Sequence, residues 1–261
     1  MAVKDPPRVL VVAGSDSSGG AGLARDIEAV AACGLGTCLA VTAVTVQTHH
    51  RVERVKPMPP ALVAAQMRAA FAANTVAAVK IGMLAGSANV VAVATVLDAH
   101  GQVPVVLDPV LASSSGATLL PQAAIATLRR KLLPLVDVVT PNLPELALLT
   151  ASALAQSEAE MERQGNCLLS AGCGAVLVKG GHATGTDATD ILLRPGHPPL
   201  RLRMPRLAAT MRGTGCMLAS TVAALLARGE SLESSVRSAK QAVFARLAPV
   251  AGDCPSLTQT P

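Results

Sequence analysis

The chain has 261 residues, 51% of them apolar, and a formal charge of +5. That length suits one large α/β domain or two small ones, with ample material for a core. Two Phe and neither Trp nor Tyr leave no aromatic platform for stacking bases, and the basic residues are scattered, so composition argues against a nucleic-acid partner.

Residues 1–7 read as a loose start. Arg8 to Ala13 is a continuous apolar run, the mark of a strand buried on both faces. It runs into a Gly/Ser-rich loop, Gly14 to Gly22, which matches neither a dinucleotide fingerprint nor a Walker A pattern. A helix follows, with Leu23, Ala24, Ile27, Val30 and Ala31 on one face and Gly34 at its end. Thr37 to Gln47 is a Val/Thr-rich strand, with Thr48-His49-His50 in the loop after it. A proline, Pro59 or Pro60, starts a helix through Phe71.

Val76 to Ile81 is another buried strand; its Lys80 reads as a side chain reaching for solvent. A helix spans about Ala88 to His100 and a strand Val103 to Leu107. A helix over Pro121 to Leu132 and a strand over Leu135 to Val139 come next, then helices at 145–150 and 157–171. Ala175 to Val178 is a strand, and Asp187–Arg194 with Pro199–Met204 form a hairpin at a sheet edge. Gly213-Thr214-Gly215-Cys216 opens an apolar helix, a last helix covers Leu232 to Leu247, and 252–261 read as a loose tail.

Alternating strands and helices imply a mostly parallel sheet with helices on both faces. Ligands then bind at the carboxyl ends of the strands. Those ends carry Gly14-Ser15-Asp16, Gln47, Gly82-Met83, Asp108, Asn142 with Glu145, and Lys179-Gly180-Gly181. The Gly-Thr-Gly-Cys turn adds free amides and a helix dipole, which suit an anion and lower the pKa of a cysteine placed there. Without further context the turn reads equally as a plain helix start. Asn142 and Glu145 read as capping residues as readily as ligands, and Met83 as core filling. No pair of the six cysteines has C-x-x-C spacing, and no signal peptide or long apolar span is evident, so a reduced, cytoplasmic protein off the membrane is expected.

The segments AGSDSSGGAG (13–22), TAVTVQT (42–48), KIGML (80–84), LDPV (107–110), TPNLPE (140–145), VKGGH (178–182) and GTGC (213–216) occur in this order. Together, over about residues 8–250, they resemble the hydroxymethylpyrimidine/phosphomethylpyrimidine kinases of thiamine biosynthesis, a branch of the ribokinase-like superfamily. The resemblance implies a single-domain, ribokinase-like three-layer α/β/α sandwich with a mostly parallel central sheet. It implies ATP and Mg2+ as cofactors, transfer of the γ-phosphoryl to 4-amino-5-hydroxymethyl-2-methylpyrimidine and then to its monophosphate, and a cytoplasmic homodimer.

Mapped residue by residue, Cys216 matches the catalytic cysteine, and Gly213, Thr214 and Gly215 the anion hole. Gln47, Met83 and Val110, with backbone at Gly14 and Ala21, match pyrimidine contacts. Asp108 and Glu145 match positions near the metal, and Lys179 and Asn142 positions near the nucleotide phosphates. The chain departs from the family at Ser17 for a proline, at Ala24-Arg25 before Asp26, at Met217 for a threonine and at Ser113-Ser114-Ser115-Gly116, which lacks a lysine. Ala208 to Arg212 also lacks the usual Asn-Thr-His, and Arg212 is expected to contact phosphate oxygens of ATP. Two other readings stay open: a pyridoxal/pyridoxine kinase, and a pyrimidine-binding sensor with little kinase activity.

Overall fold

A computed structural model gives the structure of residues 6–113, 116–181 and 185–252. The expected tails over 1–5 and 253–261, Ser114-Ser115 of the serine loop, His182 of the VKGGH segment and Cys254 lie outside the described residues.

The elements in chain order are β1 (Arg8–Ser15), α1 (Gly22–Ala32), β2 (Gly36–Gln47), β3 (Val52–Pro57), α2 (Pro60–Ala73), β4 (Val76–Ile81), α3 (Ser87–Asp98), β5 (Val105–Leu107), α4 (Gln122–Thr127), β6 (Val138–Val139), α5 (Leu143–Thr150), α6 (Glu158–Leu169), β7 (Val176–Val178), β8 (Asp187–Leu193), β9 (Leu200–Pro205), α7 (Thr214–Ala227) and α8 (Leu232–Gly252). Among the described residues, nine strands form one sheet in the order β3-β2-β1-β4-β5-β6-β7-β8-β9. The pairings from β2 across to β7 are parallel. Those of β3 at one end, and of β8 and β9 at the other, are antiparallel.

Side-chain alternation along the strands sorts the core into two layers. Leu10, Val12, Val79 and Ile81 point to one face and pack with Val63 and Met67 of α2, Val93 of α3, Leu146 of α5 and Leu168 of α6. Val9, Val11 and Ala78 point to the other and meet Val30 of α1, Val222 of α7 and Val236 of α8. The three-layer expectation therefore holds. β1 pairs with β2 on one side and β4 on the other, so the order of winding reverses beside it. This is the switch point at which a doubly wound sheet opens a crevice.

Three details differ from the expectation. Val52–Pro57 forms β3, antiparallel to β2, in a stretch where no element was expected. The helix expected over Pro121–Leu132 is α-helical only over α4, then widens into a π turn at Leu128–Leu132 and tightens into a 3-10 turn at Leu133–Leu135. β5 and β6 start later than the apolar runs suggest.

Candidate active site

The start of α7 is wedged between two groups of residues. Gly213 has a left-handed φ of 75°. A Cβ there would lie 2.5 Å from the Gly20 carbonyl oxygen and 3.2 Å from Ala21 Cα, so only glycine lets the turn dock on the β1–α1 loop. On the other side, a Cβ on Gly215 would lie 3.1 Å from Lys179 Nζ and 3.5 Å from Asp108 Oδ2. Among the described residues no side chain caps α7, and its first intrahelical bond runs from Met217 N to the Gly213 oxygen. The amides of Thr214, Gly215 and Cys216 precede that bond at the positive end of the helix dipole.

Lys179 follows β7 and gathers the carboxylates. Its ammonium donates to Asp108 Oδ1 at 2.9 Å and stands 4.0 Å from Glu145 Oε2. Burial disfavours this cation, but Asp108 and Glu145 outweigh that and raise its pKa. The Glu145 carboxyl is pushed up to about 7, first by burial, against the pull of Lys179, with Asp108 adding to the rise. Asn142 and Glu145 form a capping box at the start of α5: Asn142 N donates to Glu145 Oε2 and Glu145 N to Asn142 Oδ1, each at 2.9 Å. The capping reading is thus realised, and the same carboxylate still faces Lys179. Asp190 of β8 accepts from the Gly180 amide at 2.9 Å, and Arg206 donates to the Gly180 and Gly181 carbonyls. These contacts fix the Lys179 loop.

The other predicted residues collect beyond the first loop. Gly14 and Met83 abut, a Cβ on Gly14 meeting Met83 Sδ at 3.0 Å. Met83 shares an apolar cluster with Ala43, Leu119 and Val110, and Val52 and Val55 of β3 complete it. Gln47 ends β2; its Oε1 accepts from Thr45 Oγ1 at 3.2 Å. Ser17, in place of a proline, accepts from the Gln47 amide and donates to its carbonyl, both at 2.8 Å. Ala21 is the N-cap of α1.

Two expectations need correction. Arg212 does not face the Lys179 group. Its guanidinium pairs with Asp16 at 2.9 Å and donates to Ser18 Oγ at 2.8 Å and to the Thr48 carbonyl at 3.2 Å, with His49 Nδ1 at 3.5 Å. It belongs to the first loop and the β2 end. The Cys216 thiol is not acidified by its helix start either. Burial pushes it up to about 12; Lys80 opposes this, and the Asp26 and Asp108 carboxylates add to it. Lys80 itself does not reach solvent: it is fully buried and donates to Asp26 Oδ1 at 2.7 Å. Asp26, Ser220, Asp190 and Arg206 had no local signal in the sequence, since their partners come from distant elements.

Among the described residues, no group of three or more His, Cys, Asp and Glu side chains gathers as a metal cage, and Cys33, Cys38, Cys167, Cys173 and Cys216 are free thiols. No helix among them is long and apolar enough to cross a membrane.

Known proteins resemble this chain in sequence and in fold. A hydroxymethylpyrimidine/phosphomethylpyrimidine kinase of Rhizobium meliloti is 43% identical over 239 residues, 91% of this chain and 89% of the relative. The crystal structure of a phosphomethylpyrimidine kinase from Clostridium difficile superposes with a TM-score of 0.79 at 31% identity, covering 92% of this chain and 99% of that one. A pyridoxal kinase from Staphylococcus aureus in complex with ADP superposes with a TM-score of 0.84 at 27% identity, covering 95% of this chain and 89% of that one. With residues 16–252 matching the family model for phosphomethylpyrimidine kinase, the chain belongs to the phosphomethylpyrimidine kinase family.

Proposed function

We propose that this protein transfers the γ-phosphoryl of ATP to 4-amino-5-hydroxymethyl-2-methylpyrimidine and to its monophosphate, for thiamine synthesis. One observation carries the reading. The Gly213–Cys216 turn sits between the Gly14–Ala21 loop and the Lys179–Asp108 pair, where an acceptor on one side and a triphosphate on the other meet at free amides.

In this reading the Thr214, Gly215 and Cys216 amides, with Gly213 as the hinge, hold the transferring oxygens. Met83, Val110 and the Gly14 and Ala21 backbone bound the ring, and Gln47 offers a donor and an acceptor to its amino-substituted edge. Lys179 and Asn142 hold the nucleotide phosphates. Arg212 serves the acceptor side. Phosphoryl transfer depends on position and charge more than on covalent help. Cys216 accepts the hydroxymethyl proton; the monophosphate acceptor, already ionised, needs no such base.

Two buried carboxylates short of a cage suit Mg2+, which takes one or two protein oxygens and completes its sphere with phosphate and water. Asp108 and Glu145 would hold it, and it would supply charge neutralisation at the phosphates. The same reading makes the chain a single-domain, cytoplasmic homodimer.

A coupled ATP assay on the hydroxymethylpyrimidine, its monophosphate and pyridoxal tests the proposal. Turnover of both pyrimidines is expected. Turnover of pyridoxal alone makes this a pyridoxal kinase, and tight pyrimidine binding without turnover makes it a sensor.

A further inference from the structure

One helical turn beyond Cys216 lies a group of charges that the reaction as described does not use. Lys80 is the next-to-last residue of an otherwise apolar strand, yet its side chain and that of Asp26 are both 0% exposed. Asp26 Oδ1 accepts from Lys80 Nζ at 2.7 Å and from Ser220 Oγ at 2.8 Å. Asp26 Oδ2 is buried with no hydrogen-bond partner among the described residues. Three elements thus meet in one ion pair: α1 from the first loop, β4, and α7. Ser220 stands four residues after Cys216, on the same face of α7. Toward the site, a Cβ on Gly82 would lie 3.0 Å from Lys80 Nζ, so the residue before Met83 leaves room for the ammonium.

Taking both charges out of water is costly, and apolar residues of equal volume often serve stability as well or better. A buried pair with an unsatisfied carboxylate oxygen is therefore a poor choice for holding three elements together. Its position under the reactive end of α7 gives it another use.

We propose that the Asp26–Lys80 pair, braced by Ser220, is a positioning device for Cys216: Lys80 is the fixed positive charge against which the thiolate forms, and Asp26 keeps the ammonium in place. This rests on the reading of Cys216 as the base. The proton leaves the hydroxymethyl oxygen for the sulfur as that oxygen bonds to the γ-phosphorus and the bond to ADP breaks; the thiol later returns the proton to water. Besides Lys80 on β4, the charges that bear on the thiol are Asp26 on α1, Asp108 after β5 and Lys179 after β7. Burial is the largest influence on the thiol and raises its pKa, and Lys80 is the largest that opposes it. Burial also works against the ammonium, but the surrounding negative groups, Asp26 first among them and Asp108 with it, together outweigh burial and raise its pKa.

The test uses the full chain without substrate. Alkylation of Cys216 by iodoacetamide is followed at fixed pH by peptide mass spectrometry in wild type, Lys80→Met, Lys80→Arg and the double variant Asp26→Asn/Lys80→Met. The double variant removes both charges, so a fold lost through an uncompensated Asp26 does not decide the matter. At pH 9 the rate is expected to fall by about tenfold in folded Lys80→Met, the equivalent of one pKa unit, and by less in the double variant, which also removes the opposing Asp26 charge. Lys80→Arg retains most of the rate. With substrate, kcat on the alcohol falls with it while KM for the pyrimidine changes little. An unchanged alkylation rate in a folded double variant overturns the proposal. Normal alcohol turnover by Cys216→Ala would instead sink the base reading, which the alkylation rates do not depend on.

Discussion

Cys216 combines a free helix start with a thiol that burial pushes up to about 12. At neutral pH such a thiol is protonated, so a base role makes turnover of the alcohol climb as pH rises and the thiolate fraction grows. Replacement by alanine is expected to cut that turnover by a factor of about 10²–10⁴, the usual worth of a general base, and to flatten the climb. The monophosphate should suffer much less. Steady-state rates with both acceptors from pH 6 to about pH 9 check this; equal losses on the two would leave the thiol a structural role only. The local signal of a Gly-Thr-Gly-Cys turn was legible. The direction of the thiol's pKa was not, because it is set first by burial among packed elements and then by Asp26 and Asp108, which come from far away in the chain.

At the scale of elements, Arg212 is a clasp joining the β1–α1 loop, the end of β2 and the start of α7. Arg212→Ala is expected to raise KM for the pyrimidine by about tenfold, or about 1.4 kcal/mol, with a smaller change in KM for ATP. Lysine should not restore it, since one ammonium cannot span the partners a planar guanidinium reaches. An unchanged pyrimidine KM would show that the clasp holds nothing the substrate needs. The same scale shows what the sequence hid. β1 and β4 were readable because a strand buried on both faces is apolar nearly throughout, Lys80 being the one exception in β4. β3 was not: its Val-Glu-Arg-Val-Lys-Pro has one neighbour in the sheet, and its polar residues face solvent. It nonetheless supplies Val52 and Val55 to the cluster around Met83 and Val110. Lys80 was misread for a related reason: its partner Asp26 lies 54 residues away, and nothing local distinguishes a buried ammonium from one that reaches water.

For the molecule as a whole, the buried Lys179 group makes stability depend on pH. Glu145 carries its proton up to about 7 when folded, against an ordinary value of 4.5. The folded state therefore binds this proton more tightly than the unfolded chain does. The resulting stabilisation is complete below pH 4.5 and is lost as pH rises through about 7. Glu145→Gln keeps a side-chain oxygen for the Asn142 amide but does not titrate. Denaturant unfolding with a chelator present should show wild type losing stability relative to this variant between pH 5 and about pH 8. The opposite trend would mean that attraction to Lys179 exceeds the cost of burial.

The antiparallel strands that close the sheet at both ends bear on how molecules meet one another in concentrated solution. Each leaves one row of backbone donors and acceptors without a neighbouring strand, a template for joining chains edge to edge. β3 sets Glu53, Arg54 and Lys56 along that rim, and β9 sets Arg201 and Arg203 along the other, all exposed. A second chain aligning there must bury or crowd these charges, so the rims repel the ribbon-like stacking that uncharged outer strands would invite. Exchanging Arg54 and Lys56 for valines would leave the catalytic crevice intact and turn that rim into an aggregation seam.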